Sequence, residues 1–498
     1  MCGIAAIWGR TDPTTIDTIL DRLAHRGPDG RGTHEIPAGE GPPATLGHAR
    51  LAIIDPAGGR QPLVDDDGSA LVCNGMLYND RGLREALAAR AFRTASDSES
   101  ALQGFLEWGP DVARRLDGMF AFVLVGADGT AFAARDPLGI KPLYWGRVDG
   151  GLAFASEIKA LAGAARDIEE FPPGCTWDSR SGLQRFYEVP SPHALERDTE
   201  ATCSVLRDTL EQAVRKRLRS DVPLGAFLSG GLDSSIIAAL ARRHVDELHT
   251  FAVGLEGSSD LAAARRVAAH LGTVHHEYVI GPREVVTELP AVLHHLESHD
   301  RDLVRSAVPT WFVSRLAATR VKAVLTGEGA DELFAGYAYH ADYDDGDALQ
   351  AETRRSLQAM HDVNLQRVDR MTMAHALEAR VPFLDTAVVA LAMGIPAHHK
   401  RRRGAPDRGS KWILRRAFED LLPEDIVWRG KLQFDEGSGF SDHLAAHARR
   451  EAAAGRAGPR GTAGTEEGLY RRLLVDGLPE PGPVLALTRH WNEDRVAA

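Results

Sequence analysis

The chain has 498 residues, too many for one ordinary hydrophobic core and enough for two or three domains. Its content of 44% apolar, 26% charged and 6% aromatic residues is that of a globular enzyme, which excludes a mainly disordered or collagen-like chain. Acidic residues outnumber basic ones by 70 to 58, a formal charge of −12, so neither nucleic acid nor an anionic membrane is expected as a main partner.

In chain order, Met1-Cys2-Gly3-Ile4 lacks the basic start and apolar run of a signal peptide. No later stretch reaches the roughly 20 apolar residues of a membrane helix, and a cytoplasmic location is expected. Apolar residues at three- and four-residue spacing predict helices over 15–24 and 97–108. Runs of β-forming residues predict strands over 119–125 and 130–134 around Gly126-Ala127-Asp128-Gly129, and over 143–146 and 152–155 around Asp149-Gly150-Gly151. An antiparallel sheet domain with packed helices is the economical reading. From Tyr187 to Thr202 the pattern lapses into Val189-Pro190-Ser191-Pro192 and mixed charges, as in a linker.

Past Ser204 the character changes. A strand over 224–228, a turn over 229–231, a helix over 234–243, a strand over 250–254 and a helix over 260–271 predict a parallel α/β sheet. Beyond Val324-Leu325 the chain is mostly helical, with a glycine-rich stretch over 455–468 expected to be mobile. His399-Lys400-Arg401-Arg402-Arg403 reads as a solvated basic loop. His294, His295 and His299 would offer an i, i+4 metal pair on a continuous helix; without an H-E-x-x-H pattern, a polar helix face is preferred. Cys2, Cys73, Cys175 and Cys203 form no C-x-x-C pair, which argues against a disulfide framework or a cysteine zinc site.

Sulfur chemistry is then left to individual thiols, and Cys2 is the candidate. Once Met1 is removed, a terminal cysteine carries nucleophile and base on one residue, because its α-amine can take the thiol proton. Three clusters downstream support it. Arg26-Gly27-Pro28-Asp29-Gly30 reads as a rigid turn, Gly47-His48-Ala49-Arg50-Leu51-Ala52-Ile53-Ile54-Asp55 as a strand with one arginine amid apolar residues, and Asn74-Gly75 as an amide and a backbone N–H able to meet an oxyanion.

With Cys2, these clusters resemble the N-terminal-nucleophile glutaminase domain of class II amidotransferases. Further matches lie at Ser96-Asp97-Ser98-Glu99, Leu116-Asp117-Gly118-Met119-Phe120-Ala121, the segment 134–144, Ser156-Glu157 and Pro172-Pro173-Gly174. The resemblance implies that Cys2 is the nucleophile, that Asn74 and Gly75 form the oxyanion hole, and that Arg50 and Asp97 hold the α-carboxylate and α-ammonium of glutamine. At one position the chain departs. Where the family has glutamate in Asn-Gly-Glu, this chain has Met76, which carries no charge for the ammonium.

Ser229-Gly230-Gly231-Leu232-Asp233-Ser234-Ser235 sits between a strand and a helix, where free N–H groups and the helix dipole favour phosphate. Its serines and aspartate have the spacing of the pyrophosphate loop of ATP pyrophosphatases, and no Walker sequence is present. Gly327-Glu328-Gly329-Ala330-Asp331-Glu332 follows the strand 323–325, at the carboxyl edge where such sheets bind ligands. Its carboxylates suit metal and acid/base work, and Lys431 in Trp428-Arg429-Gly430-Lys431 adds a cation for phosphate.

With Asp369-Arg370 and the segment 378–385, these motifs resemble the synthetase domain of glutamine-hydrolysing asparagine synthetases, in the right order over nearly the whole chain. The resemblance implies an N-terminal αββα sandwich of Ntn-hydrolase type over 1–188, a linker over 189–203 and a C-terminal parallel-sheet ATP pyrophosphatase domain with a helical extension over 204–498. It implies ATP and Mg2+, with ATP against Leu228, Ser229, Gly230, Gly231, Asp233, Ser234, Val253, Gly254 and Gly327. Asp233 and Asp331 would be the magnesium-linked acids, Glu328 the base for ammonia attack and Lys431 the stabiliser of the pentavalent phosphorus. The reaction implied is adenylation of aspartate and its amidation by channelled ammonia from glutamine, in a chain that a homodimer would suit. Two alternatives stay open: the same chemistry on another carboxylate, as the Glu297-Ser298-His299-Asp300 segment near the acceptor pocket permits, and a ligand-binding relative without turnover.

Overall fold

The computed structural model describes residues 2–39, 41–192, 198–402, 409–430, 440–454, 465–490 and 495–496. Two six-stranded sheets occupy the N-terminal part. The first runs, in spatial order, Arg166–Glu170, Tyr144–Val148, Gly151–Ala155, Gly3–Trp8, Ala44–Arg50 and Gly30–Ile36. The second runs Gly182–Arg185, Cys175–Asp178, Ala131–Arg135, Gly118–Val125, Ala70–Leu77 and Leu63–Val64. Every pair within these sheets is antiparallel.

The strand Gly118–Val125 explains why its sequence does not alternate in polarity. Ala121, Val123 and Val125 pack between the two sheets with Ile4, Ala6, Leu46 and Val72. Phe120, Phe122 and Leu124 pack on the other face against Ala101 and Leu102 of the helix Glu99–Trp108. A strand buried on both faces has no polar side to show. The helix Pro13–Arg22 covers the outer face of the first sheet, so the layers stack helix, sheet, sheet, helix.

The C-terminal part is built on a five-stranded parallel sheet in the order Val274–Val279, His249–Gly254, Leu224–Phe227, Ala323–Leu325, Glu378–Arg380. Chain order reverses between Leu224–Phe227 and Ala323–Leu325. The crevice beyond the carboxyl ends of those two strands is a topological switch point, where open α/β sheets bind ligands. The helix Thr199–Arg217 begins inside the stretch that reads as linker, capped by the Asp198 carboxylate. Among the described residues no helix is long and apolar enough to cross a membrane.

Two sequence expectations need correction. The helix Pro282–Leu296 ends before His299, because Glu297 takes a left-handed conformation (φ 58°), so the three histidines share no helix face. His295 packs against His25 and Trp311, and His299 against His490. In the basic run, Lys400 is fully buried rather than solvated, and burial lowers its ammonium to about 7. The segment 455–464 lies outside the described residues.

A buried charge network joins the two parts. Arg26 donates to Glu157 Oε1 at 2.7 Å and to both oxygens of Asp369, at 2.8 and 3.2 Å. Burial works against the Asp369 carboxylate, but Arg26 and Lys141 hold it below the ordinary range. Next along the same helix, Arg370 Nε donates to Glu297 at 3.0 Å and Nη1 to the Ser156 carbonyl at 3.1 Å. The Glu297 carboxylate also accepts the Ile158 N–H, at the start of the helix Ile158–Leu161. Removing one member leaves its partner charged in a dry interior. Asp369→Ala is therefore expected to cost roughly 3–5 kcal/mol, the range for a broken buried pair, and to lower the thermal midpoint clearly. An unchanged midpoint in a calorimetric scan would show that solvent reaches Arg26.

Candidate active sites

Cys2 precedes the strand Gly3–Trp8 and is buried. Its N–H donates to Asn74 Oδ1 at 2.9 Å, and its carbonyl accepts from Arg26 Nε at 3.1 Å. With its oxygen so engaged, Asn74 keeps a buried Nδ2 with no partner. Two residues on either side of Gly75, strand geometry provides the rest. Cys73 N–H donates to Gln61 Oε1 at 2.6 Å and Leu77 N–H to Asp97 Oδ2 at 2.7 Å, so both point away from the neighbouring strand Gly118–Val125. Gly75 has the same parity and turns its N–H to the same side. Asn74 Nδ2 and Gly75 N–H are thus the two donors an oxyanion requires.

Arg50 closes the strand Ala44–Arg50, whose Ala49 lies opposite Gly3. Its guanidinium is anchored on the carbonyls of Pro56 at 2.9 Å and Asp55 at 2.6 Å. Burial raises the Asp97 carboxyl to about 6, against the hydrogen bond from Leu77 N–H. Burial also pushes the Cys2 thiol up, but His48 and the amino-terminal charge outweigh it and bring the thiol down to about 7. Met76 is buried among Leu51, Ile53, Ile54 and Met119, with its Sδ 4.0 Å from Arg380 Nη2. Arg380 in turn holds Glu378 at 2.6 Å. The methionine therefore gives an apolar wall beside an arginine from the other part of the chain.

The second site lies at the switch point, in a cavity of about 590 Å³. Leu228, Ser229, Gly231, Asp233, Ser234, Val253, Gly327, Glu328 and Asp331 line it. Gly230 and Gly254 shape the backbone behind it instead. At Gly230 (φ 72°) a Cβ would come within 2.5 Å of Ala263 and Ala264, so only glycine lets the loop cross the helix Ser259–Leu271. Ser229 and Ser234 hold the loop through a 3.1 Å contact between their hydroxyls, at the start of the helix Leu232–Arg242. Lys431 lies outside the described residues.

Sequence patterns missed the cations of this cavity. Lys411, buried and in a left-handed conformation (φ 53°), pairs with Asp233 and lies 2.7 Å from Asp331. Burial opposes its charge, yet the two carboxylates raise it above the ordinary lysine value. A Cβ at Gly336 would fall on Lys411 Cε and Asp331 Oδ1, so that glycine leaves room for the bridge. Arg367 pairs with Glu328, whose N–H donates to Thr326 Oγ1 at 3.1 Å. Glu332, beneath them, is raised to about 7 by burial and by Asp331, and accepts from Tyr337 at 2.6 Å. No local motif marks Lys411 or Arg367; their positions come from chain crossings far apart in sequence.

Asp233 Oδ1 is buried without a hydrogen-bond partner. An orphaned carboxylate oxygen and a second carboxylate around one cation suit a hard divalent ion such as magnesium.

Comparison with known proteins finds relatives over nearly the whole chain. The asparagine synthase family model matches residues 205–346 and 341–482, and a glutamine amidotransferase domain model matches residues 1–183. The glutamine-hydrolysing asparagine synthetase of Triphysaria versicolor is 40% identical, over 96% of this chain and 86% of that protein. Asparagine synthetase 3 of Arabidopsis thaliana is also 40% identical, over 96% and 87%, and the root enzyme of Pisum sativum is 39% identical, over 96% and 86%.

The Lys411 bridge makes a test that needs no turnover. Lys411→Met leaves Asp233 and Asp331 facing each other without a cation, at an expected cost of about 1–3 kcal/mol. Its thermal midpoint should fall in chelator and recover with millimolar magnesium, more than the wild-type midpoint rises. Equal responses to magnesium would mean that the two acids do not share an ion.

Proposed function

The chain belongs to the glutamine-hydrolysing asparagine synthetase family, and on that footing we propose that it makes asparagine from aspartate, ATP and glutamine, releasing AMP and pyrophosphate. The observation that carries this reading is the convergence of the serine-glycine loop, the Asp233–Lys411–Asp331 bridge and Glu328 on one cavity, in a chain that also sets a buried thiol beside open oxyanion donors.

In the first half-reaction Arg50 receives the α-carboxylate of glutamine and Asp97 its α-ammonium, which sets the carboxamide carbon against Cys2 Sγ. Asn74 Nδ2 and Gly75 N–H take the charge that develops on the carbonyl oxygen. Ammonia leaves the γ-glutamyl thioester as a neutral molecule. An apolar cluster runs from Leu51, Ile53, Met76 and Met119 to Val381 and Leu384 of the synthetase part, and favours a neutral species over an ion.

In the second, the serine-glycine loop and the N-terminus of the helix Leu232–Arg242 receive the phosphates. Asp233 and Asp331 would hold magnesium, which when bound neutralises phosphoryl charge. Lys411, displaced from the acids, keeps its positive charge within reach of the same oxygens. The aspartate carboxylate attacks the α-phosphorus; Glu328, freed from Arg367, takes a proton from ammonia as it displaces AMP.

Five outcomes test this scheme. With ammonium, aspartate, ATP and magnesium, the nucleotide product resolved by chromatography should be AMP; ADP would end the adenylation reading. Glu328→Gln should spare ATP binding and cut amide formation by roughly two orders of magnitude, the scale of a positioned general base. Asp97→Asn should raise the glutamine KM about ten- to a hundredfold, as loss of a charge-assisted bond predicts, with kcat nearly kept. In the wild type the same KM should climb as pH falls through about 6, because protonation removes the Asp97 charge. Cys2→Ala should abolish glutamine-driven synthesis and leave ammonium-driven synthesis intact; survival of the former would move the nucleophile elsewhere.

A further inference from the structure

One wall of the synthetase cavity takes no part in the scheme above. Residues 495–496 lie there against the short helical turn Ala338–Asp342 and the helix Gly346–Gln358. Val496 donates its N–H to Glu352 Oε2 at 3.0 Å, and its carbonyl accepts from Tyr343 Oη at 2.6 Å. Its side chain packs on the cluster of Ala335, Tyr343 and Leu349. With Val496 held in this way, its neighbour has a defined place. Arg495 lines the cavity with its guanidinium 3.8 Å over the ring of Tyr339, and it is exposed, so a ligand can reach it. A cation over a ring face is attracted by the ring quadrupole and keeps its N–H groups for other partners.

The other basic side chains that line the cavity, among the described residues, are already engaged. Lys411 lies between Asp233 and Asp331, and Arg367 holds Glu328. Arg305 meets the two oxygens of Glu466 at 2.7 and 2.9 Å, and Arg301 those of Asp302 at 2.9 and 3.2 Å. Arg429 donates to Asp260 at 3.0 Å, and Arg415 to the carbonyls of Ser410 and Arg429 at 2.9 and 3.1 Å. Among these cations Arg495 is the one with neither a carboxylate nor a carbonyl partner in the described residues. Glu352, the acid that Tyr339 binds, is fully used: it accepts from Tyr339 at 2.8 Å, from Arg355 at 2.7 and 2.9 Å and from Val496.

We propose that Arg495 is a specificity residue of the synthetase cavity: it receives the unreacting carboxylate of the acceptor. The inference rests on the amidation reading of this cavity and adds to it the group that tells a dicarboxylic acceptor from a monocarboxylic one. Its place favours the acceptor over the phosphates. Tyr339 stacks on Tyr337 with ring centroids 5.7 Å apart, and Tyr337 Oη accepts from Asn364 at 2.9 Å. Asn364 precedes Arg367 by one turn of the helix Asn364–Met373, and Arg367 holds Glu328. Arg495 therefore stands on the wall that carries the proposed base, whereas the phosphates belong to the serine-glycine loop before the helix Leu232–Arg242. The planar guanidinium matches both oxygens of a carboxylate. An aspartate whose β-carboxylate faces the α-phosphorus offers its α-carboxylate to that fork; an acceptor without one gains nothing from it.

The test uses the full chain with ammonium as nitrogen donor, which takes the thiol site out of the measurement. Pyrophosphate release and amide formation are followed against L-aspartate and, separately, against ATP. Arg495→Gln should raise the aspartate KM about ten- to a hundredfold, as loss of a charge-assisted pair predicts, with a smaller change in kcat and no change in the ATP KM. Arg495→Lys keeps the charge but not the fork, and its aspartate KM should fall between the two. An aspartate KM unmoved in Arg495→Gln overturns the proposal. So does an ATP KM that rises in step, which would put the guanidinium on phosphate or make it a prop of the cavity. A wild type that makes no asparagine refutes the aspartate reading by itself, and the same variants are then assayed on a panel of mono- and dicarboxylic amino acids. Turnover of another dicarboxylate with a KM raised in Arg495→Gln supports the role given to Arg495; turnover of monocarboxylates only, or of none, overturns it.

Discussion

Arg26 is the group on which both halves of the molecule depend. Its guanidinium is removed from water and must be fully paired, and the pairs available are Glu157, from the same domain, and Asp369, from a helix of the synthetase part. Its Nε–H goes to the carbonyl of Cys2. A single side chain thus sets the backbone of Cys2 against a helix whose Arg367 holds Glu328. The same physics repeats at Glu297, which binds Arg370 while capping the helix Ile158–Leu161, and at Arg380, which binds Glu378 and the carbonyl of Arg219. These pairs do not make the interface strong so much as specific: a shifted docking would leave several charges dry and alone.

The two sites manage charge in opposite ways. The thiol site keeps a neutral donor open, Asn74 Nδ2, where the proposed oxyanion would form. The synthetase site holds its acids against internal cations, Asp233 and Asp331 on Lys411 and Glu328 on Arg367. Carboxylates gathered in a half-buried cavity would otherwise repel one another.

Much of this was legible in the sequence because it is local. The strand 323–325 and its glycine-rich turn announce a ligand edge, and Ser229 to Ser235 carries its chemistry in consecutive residues. Fold class followed from the switch between hairpin-rich and alternating strand-helix patterns. What escaped is long-range. Lys411 meets Asp233 across 178 positions, and its left-handed backbone leaves no compositional mark. Lys400 looked like one of several solvated cations until packing enclosed it, and His299 was separated from His295 by a helix end that only the Glu297 conformation reveals.

Among the described residues the strand Ala70–Leu77 has an edge without a neighbouring strand for most of its length, since past Leu71 its ladder partners lie on one side alone. Such edges are normally a liability. Here the outward N–H groups fall at every second residue, about 6.8 Å apart at the usual rise per residue. In the proposed glutaminase reaction the one at Gly75 would meet the oxyanion, and the next, at Leu77, holds the Asp97 carboxylate proposed for the ammonium. The pleat of the strand is therefore a ruler. In the proposed reaction it would set how many methylene groups can stand between a carboxamide and an α-amine, and a side chain one carbon shorter would fall short of the second mark.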